Sequence, residues 1–412
     1  MICIPRYRGI ERTPSGILVP ARYWRNHAAQ LAHGHGHGAD MGGPPWNPAQ
    51  YPGTLLWAGA YQEARATRNT APNLLDAACE DKTKWTAVGA GVTVSNEAGG
   101  VSGNCMRVTG GGAALSNAKQ DVLVTGNRYA ASGWYRGDGT TGSPRLYGGG
   151  SSVFGSGTTS NTWQAVANEL TAAGSNFACA NVPTTGYSEF DSFTLTQLSL
   201  NSYLPLVGTA LSQSTDTAKP WVSSDGLGWR FQGGDLFSGG VSAALAKCLH
   251  DGTGGMAMWA FRPSVLNASN RMLATAGLAT TNVGVLVSYS NANTARVYIM
   301  NGGGAYDYDS GATACTVAIN TWYVATLCVA SGAGGVTLDV NGANKITGAL
   351  TAPSGANATS ALMLGAEVAG SASGVDGIVS VPWVTQGIPD AATRAQGERY
   401  LYQQASGAPA PW

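Results

Sequence analysis

Charge is scarce in this chain: only 11% of its 412 residues are Asp, Glu, Lys or Arg, and 23 basic residues cancel 23 acidic ones. No basic stripe is left to neutralise phosphates, which excludes the electrostatic footprint of a nucleic-acid or anionic-membrane binder. No run approaches the ~20 apolar residues of a membrane span. Residues 1–30 hold Arg6, Arg8, Arg12, Arg22 and Arg25 without an apolar block of signal-peptide length. The expectation is a protein neither exported by that route nor inserted in a membrane. The seven cysteines (Cys3, Cys79, Cys105, Cys179, Cys248, Cys315, Cys328) are odd in number and form no Cys-x-x-Cys. They read as free thiols made in a reducing cytosol, which argues against a disulfide frame or zinc site.

Catalytic signatures are equally thin. There is no Gly-x-Ser-x-Gly, histidines number five, and Gly148-Gly-Gly150 lacks the Lys-Ser or Lys-Thr of a phosphate loop. Glu189-x-Asp191 places two carboxylates on one face of a strand, as a glycosidase would use them. Asp307-x-Asp309 reads as a solvated loop. The balance favours a protein that is not an enzyme, with polysaccharide depolymerase as the catalytic alternative.

What is abundant is glycine, 58 residues of it, among many Ser, Thr, Ala and Asn. That composition suits short strands joined by tight turns, and a subunit kept soluble by its neighbours in a large assembly. The length implies more than one core. Residues 1–71 are rich in Pro, Arg and Trp and include Gly42-Gly-Pro-Pro-Trp-Asn-Pro48, which is neither helix nor central strand. They read as an extended anchoring arm, with Arg6, Tyr7, Arg8, Tyr23, Trp24 and Trp46 as docking residues.

From Pro72 the pattern becomes short β-branched and aromatic runs separated by Gly, Asn and Ser. Strands are expected at 105–109, 128–135, 162–170 and 190–198. Residues 201–220 read as a linker, and a second set follows at 256–261, 283–288, 296–300, 321–329, 336–340 and 362–364. Asn341-Gly342 is a hairpin signal, since a type I′ turn needs positive φ at both central residues. Residues 391–402 read as a helix with Asp390 near its start. The fold class is therefore all-β: two antiparallel jelly-roll sandwiches, 72–200 and 221–412, after an extended arm.

Particular residues carry two resemblances. Asn73-Leu-Leu-Asp76, Trp85, Arg128-Tyr-Ala-Ala-Ser-Gly-Trp-Tyr-Arg136, Thr162-Trp163 and Glu189-Phe-Asp-Ser-Phe-Thr-Leu195 resemble carbohydrate-binding modules of the cellulase and xylanase type. That likeness implies a structural calcium near Asp191, although Ser192 stands where such modules often carry a second Asp. Gly228-Trp-Arg-Phe231, Met258-Trp-Ala-Phe261, Asn320-Thr-Trp-Tyr-Val324, Asp339-Val-Asn-Gly342, Leu362-Met-Leu-Gly365 and Glu398-Arg-Tyr-Leu-Tyr402 are similar to the concanavalin A-like, or laminin G-like, jelly roll found in phage and bacterial surface proteins.

His33-Gly-His-Gly-His37 is the metal-ligand constellation. In an extended segment the alternate imidazoles His33, His35 and His37 point one way, and three chains around a threefold axis would offer octahedral nitrogen to iron or another divalent ion. The motif resembles those that bind iron along the axis of trimeric phage fibres; a Gly-His linker is the plainer reading. These resemblances imply a bacteriophage virion structural protein, a tail or head fibre assembled as a homotrimer. It would be made in the host cytoplasm, displayed on the virion surface, docked on capsid or tail proteins and adhesive toward a bacterial surface glycan. A capsid decoration protein without glycan binding is the alternative. Sugar recognition needs exposed aromatic faces and a few polar groups, and Tyr147, Tyr187, Tyr289, Tyr306 and Tyr308 stand in turn-rich or strand-edge contexts. Trp134, Trp163, Trp259 and Trp322 lie within strand patterns and read as core.

Overall fold

The computed structural model describes residues 47–68, 73–76, 79–112, 116–150, 152–182, 185–223, 227–367 and 373–412, together with the paired backbone segments Ile10–Arg12 and Leu18–Pro20. The docking residues Arg6, Tyr7, Arg8, Tyr23, Trp24 and Trp46, and His33, His35 and His37, lie outside the described residues. The chain is an all-β protein of antiparallel sheets, with one long helix among the described residues. No helix among the described residues is long and apolar enough to cross a membrane.

The first sandwich consists of two five-stranded sheets. One runs in the order Val153–Ser156, Ser143–Gly148, Phe177–Val182, Ser116–Gln120, Thr86–Val88. The other runs Gln164–Thr171, Arg128–Gly137, Tyr187–Gln197, Asn104–Thr109, Thr93–Ala98. Strand alternation turns Tyr129, Ala131 and Tyr135 inward from one sheet and Phe177 and Cys179 from the other, filling one core. A bulge interrupts the alternation. The register against Arg128–Gly137 shifts between Asp191 and Thr194, and Ser192 takes φ 53°. The added residue lets Phe190 and Phe193 both face the core. It also hands the outer face from Glu189 and Asp191 to Thr194 and Thr196.

The second sandwich packs a ten-stranded sheet on an eight-stranded one around a larger core. Gly255–Val265 is apolar on both faces. Ala257, Trp259 and Phe261 enter that core, while Met256, Met258 and Ala260 lie under the helix Ala391–Ser406. Gly397 permits the approach, since a β-carbon there would sit 2.7 Å from the Trp383 ring. Asp390 caps the helix by accepting from the Thr393 N–H at 2.8 Å, and Gly407 ends it at φ 71°. Asn341 (φ 51°) and Gly342 (φ 71°) turn the hairpin between Gly332–Val340 and Ala343–Leu350.

The structure redraws two expected segments. Thr54–Trp57 and Ala66–Thr67, expected as arm, are strands that pair with Asp376–Gln386 and with Ser202–Tyr203. Ser202–Tyr203 and Leu211–Ser212, expected as linker, belong to the ten-stranded sheet. Burial is the reason: Leu56, Tyr203 and Leu211 are fully buried, and Trp57 nearly so, yet two- to four-residue strands are too short to show alternation. The first sandwich is thus inserted between two paired strands of the second, its ends meeting at the pair Thr67 and Ser202. Six cysteines, all but Cys3, are described, and each is a buried free thiol.

Candidate functional site

The outer face of the sheet centred on Arg128–Gly137 is built by alternation. With Tyr129, Ala131 and Tyr135 committed to the core, Arg128, Ala130, Ser132, Trp134 and Arg136 point away from it. Trp134, expected as core, stands here at 36% exposure, opposite Ala165 on one neighbouring strand and Asp191 on the other. A tryptophan left in solvent on a sheet face is a large unburied apolar surface. Beside it runs a groove of about 310 Å³ lined by Ala130, Ser132, Ala167, Glu169, Thr194 and Thr196. Ser132 and Thr194 share a hydroxyl hydrogen bond of 2.8 Å across it. The small side chains on this stretch are what leave the groove open.

Beyond Trp134 the face turns charged. Glu189 is 2% exposed. Its Oε1 accepts from Arg107 Nε and Nη2 at 3.0 and 2.7 Å, and its Oε2 accepts from Arg136. Burying a lone carboxylate is costly, and two guanidiniums offset that cost. Each guanidinium also lies on an aromatic ring: Arg107 is 4.1 Å from the Tyr187 centroid, and Arg136 is 4.4 Å from Trp163. Trp163, expected as core, is half-buried under Arg136. Burial works against the charge on Arg107, but Glu189 outweighs it and holds the guanidinium above its ordinary value. Burial, with the Glu189 charge, pushes the Cys105 thiol up to about 11, so it stays protonated and inert.

This geometry bears on the proposed carboxylate pair. Glu189 is held in two ion pairs, and Asp191 has no exposure. Neither side chain is presented to a substrate. Asp191 Oδ2 accepts from the Ser102 N–H at 2.9 Å, while Oδ1 is buried without a hydrogen-bond partner. Asp191 Oδ2 and the Asn104 carbonyl oxygen both face Gly100. An unpartnered carboxylate oxygen with a second carboxylate oxygen and a carbonyl close by suits calcium, which takes six to eight oxygen ligands. No cluster of three His, Cys, Asp or Glu side chains occurs among the described residues, so carbonyls and water would complete the set.

The five tyrosines scatter. Tyr187 belongs to the face just described. Tyr147 is half-buried on the opposite sheet, its hydroxyl accepting from Arg145 at 3.3 Å. Tyr289 is a correction: it is 4% exposed and stacked on Phe261 at 5.6 Å within the second core, and burial raises its phenol well above the ordinary range. Tyr308 also turns inward, against that core beside Gly348. Tyr306 is 37% exposed and leans on Tyr298. Asp309 forms a two-pronged ion pair with Arg296, and Asp307 accepts from Asn301 at 2.6 Å, so this pair is structural. Trp259 and Trp322 are core as expected.

No family model and no curated protein matches the sequence. Parts of the chain are similar to solved structures. The Ruminococcus gnavus IT-sialidase CBM40, bound to α2,3-sialyllactose, aligns at 16% identity and TM-score 0.34, covering 42% of this chain and 95% of that one. Domain 4 of AbnA, a GH43 extracellular arabinanase from Geobacillus stearothermophilus, in complex with arabinotriose, aligns at 12% identity and TM-score 0.33, with 45% and 82% coverage. A Trypanosoma rangeli sialidase in complex with the inhibitor DANA aligns at 11% identity and TM-score 0.33, with 76% and 53% coverage.

Proposed function

We propose that this protein is a non-enzymatic glycan-binding adhesin of a bacteriophage virion, and that the outer face carrying Trp134 is its sugar-binding surface. The observation that carries the adhesive part is Trp134, exposed on the same sheet face as a hydroxyl-lined groove. A tryptophan face packs against the C–H surface of a pyranose, and hydroxyls and guanidiniums bind its oxygens. The ion pairs of Glu189 fix Arg107 and Arg136 in place before a ligand arrives, which lowers the ordering cost of binding. The virion part rests on the sequence resemblances. In this reading the segment preceding residue 47 docks on capsid or tail proteins, three copies assemble, and iron or another divalent ion is held at His33, His35 and His37. Calcium is held at Asp191. Weak sites repeated over many copies retain a bacterium through avidity.

The test combines two measurements on the full-length protein. Labelled protein should bind host bacteria and fail to bind cells stripped of surface polysaccharide. Antibody-labelled electron microscopy of the particle should place the chain on the virion surface in threefold bundles. Equal binding to stripped cells would overturn glycan adhesion; a particle without the chain would overturn the virion role.

A further inference from the structure

A second polar cavity lies where the two sandwiches meet. It measures about 200 Å³ and is lined by Arg128 and Ser199 on one side and by Lys219, Trp221, Gln232 and Asp235 on the other. The seam around it is backbone-tight: a β-carbon on Gly126 would come within 2.9 Å of the Thr217 main chain. The Arg128 N–H donates to Ser199 Oγ at 2.7 Å. The walls are therefore set by packed main chain on both sides.

The charges around the cavity cancel almost completely. Arg128 donates to Glu169 at 3.1 Å while its guanidinium lies 4.5 Å from the Trp221 centroid. Lys219 is paired with Asp216. Asp235 is 6% exposed and accepts from the Gln232 N–H at 2.8 Å. Burial pushes its carboxyl up to about 7, against the opposing pull of that hydrogen bond and of Arg128. Near neutrality this group is half protonated, able to donate as well as accept. An anion would find both cations already neutralised. A neutral, hydroxyl-rich ligand finds an amide, hydroxyls, a carboxyl and two oriented cation donors around an indole. At about 200 Å³ the cavity lies below the roughly 300–1,000 Å³ of pockets for drug-sized ligands, a size suited to one sugar ring rather than several.

We propose that this seam cavity binds a single neutral monosaccharide residue. The site deepens the adhesion reading; it shares Arg128 with the outer face but not Trp134, so Trp134→Ala and Gln232→Ala separate the failure of one from the failure of the other. Sites at the junction of two packed units are a common location for small-molecule recognition. The position also means that an occupied cavity bridges the inserted sandwich to its host.

The full-length protein should be titrated with glucose, galactose, rhamnose, N-acetylglucosamine and glucuronate by ligand-observed NMR. At least one neutral sugar should bind saturably and more tightly than glucuronate. Gln232→Ala should weaken it at least tenfold, whereas Trp134→Ala should leave it unchanged. If Gln232→Ala lowers the unfolding midpoint, Thr171→Val, which removes an exposed hydroxyl from the Arg128 side of the cavity, should give the loss in a folded protein. No saturable binding, tighter binding of glucuronate, or loss in Trp134→Ala with Gln232→Ala unaffected would each overturn the proposal.

Discussion

Gly133 and Phe193 share one point in space: a β-carbon on Gly133 would lie 2.6 Å from the Phe193 ring. The glycine is the counterpart of the bulge at Ser192, because the second inward phenylalanine needs room opposite it. Gly133→Ala should therefore overpack the first core at a cost of about 1–3 kcal/mol. Urea denaturation checks this, and a neutral result would mean that Phe193 swings aside freely.

Glu189 gives a second prediction. Arg136→Ala leaves a nearly buried carboxylate with one guanidinium instead of two, which should cost about 1–3 kcal/mol. The double variant Arg136→Ala, Glu189→Gln should cost less than the sum of the two single changes, since both singles break the same pair and it is lost only once. Additive losses in that double-mutant cycle would show that the pair is not coupled.

Asp235 predicts a pH dependence. Its folded value of about 7 lies above the ordinary 3.8, so the folded state binds the proton more tightly than the unfolded chain. The contribution of Asp235 to stability should be greatest below pH 4, fall as pH rises through 4 to 7, and level off above. Three pH units correspond to about 4 kcal/mol at 1.36 kcal/mol each. Asp235→Asn should remove this slope and stabilise the protein at pH 8, as read from denaturation midpoints across pH. An unchanged slope would assign the proton elsewhere.

The calcium assignment is tested by heat. Millimolar calcium should raise the unfolding midpoint of the wild-type protein, chelator should reverse the rise, and Asp191→Asn should abolish it. A rise that survives Asp191→Asn would place the ion at another site.

Much of the fold is legible in the residues where local chemistry is decisive. Asn341-Gly342 and Asp390 fix a turn and a helix start through backbone conformation and capping, which depend on few neighbours. The strands at Thr54–Trp57 and Ser202–Tyr203 are not legible, because their pairing partners lie far away in sequence. Trp134 is misread for a related reason. Both faces of Arg128–Gly137 carry aromatics, with Tyr129 and Tyr135 on one and Trp134 on the other, so alternation alone does not say which face is wet. Arg128, Arg136 and the hydroxyl of Ser132 share the parity of Trp134, and that is the signal by which the outer face could have been found. The inter-sandwich cavity joins residues 128 and 235 across an insertion, and no local pattern announces it.

The most direct test of glycan adhesion through the outer face is a glycan-array titration of the wild-type chain beside Trp134→Ala and Tyr306→Ala. Trp134→Ala should lower affinity for the bound glycans roughly tenfold, about 1.4 kcal/mol, and Tyr306→Ala should bind as wild type. Binding unchanged in Trp134→Ala, or no glycan bound by the wild-type chain, would contradict the account.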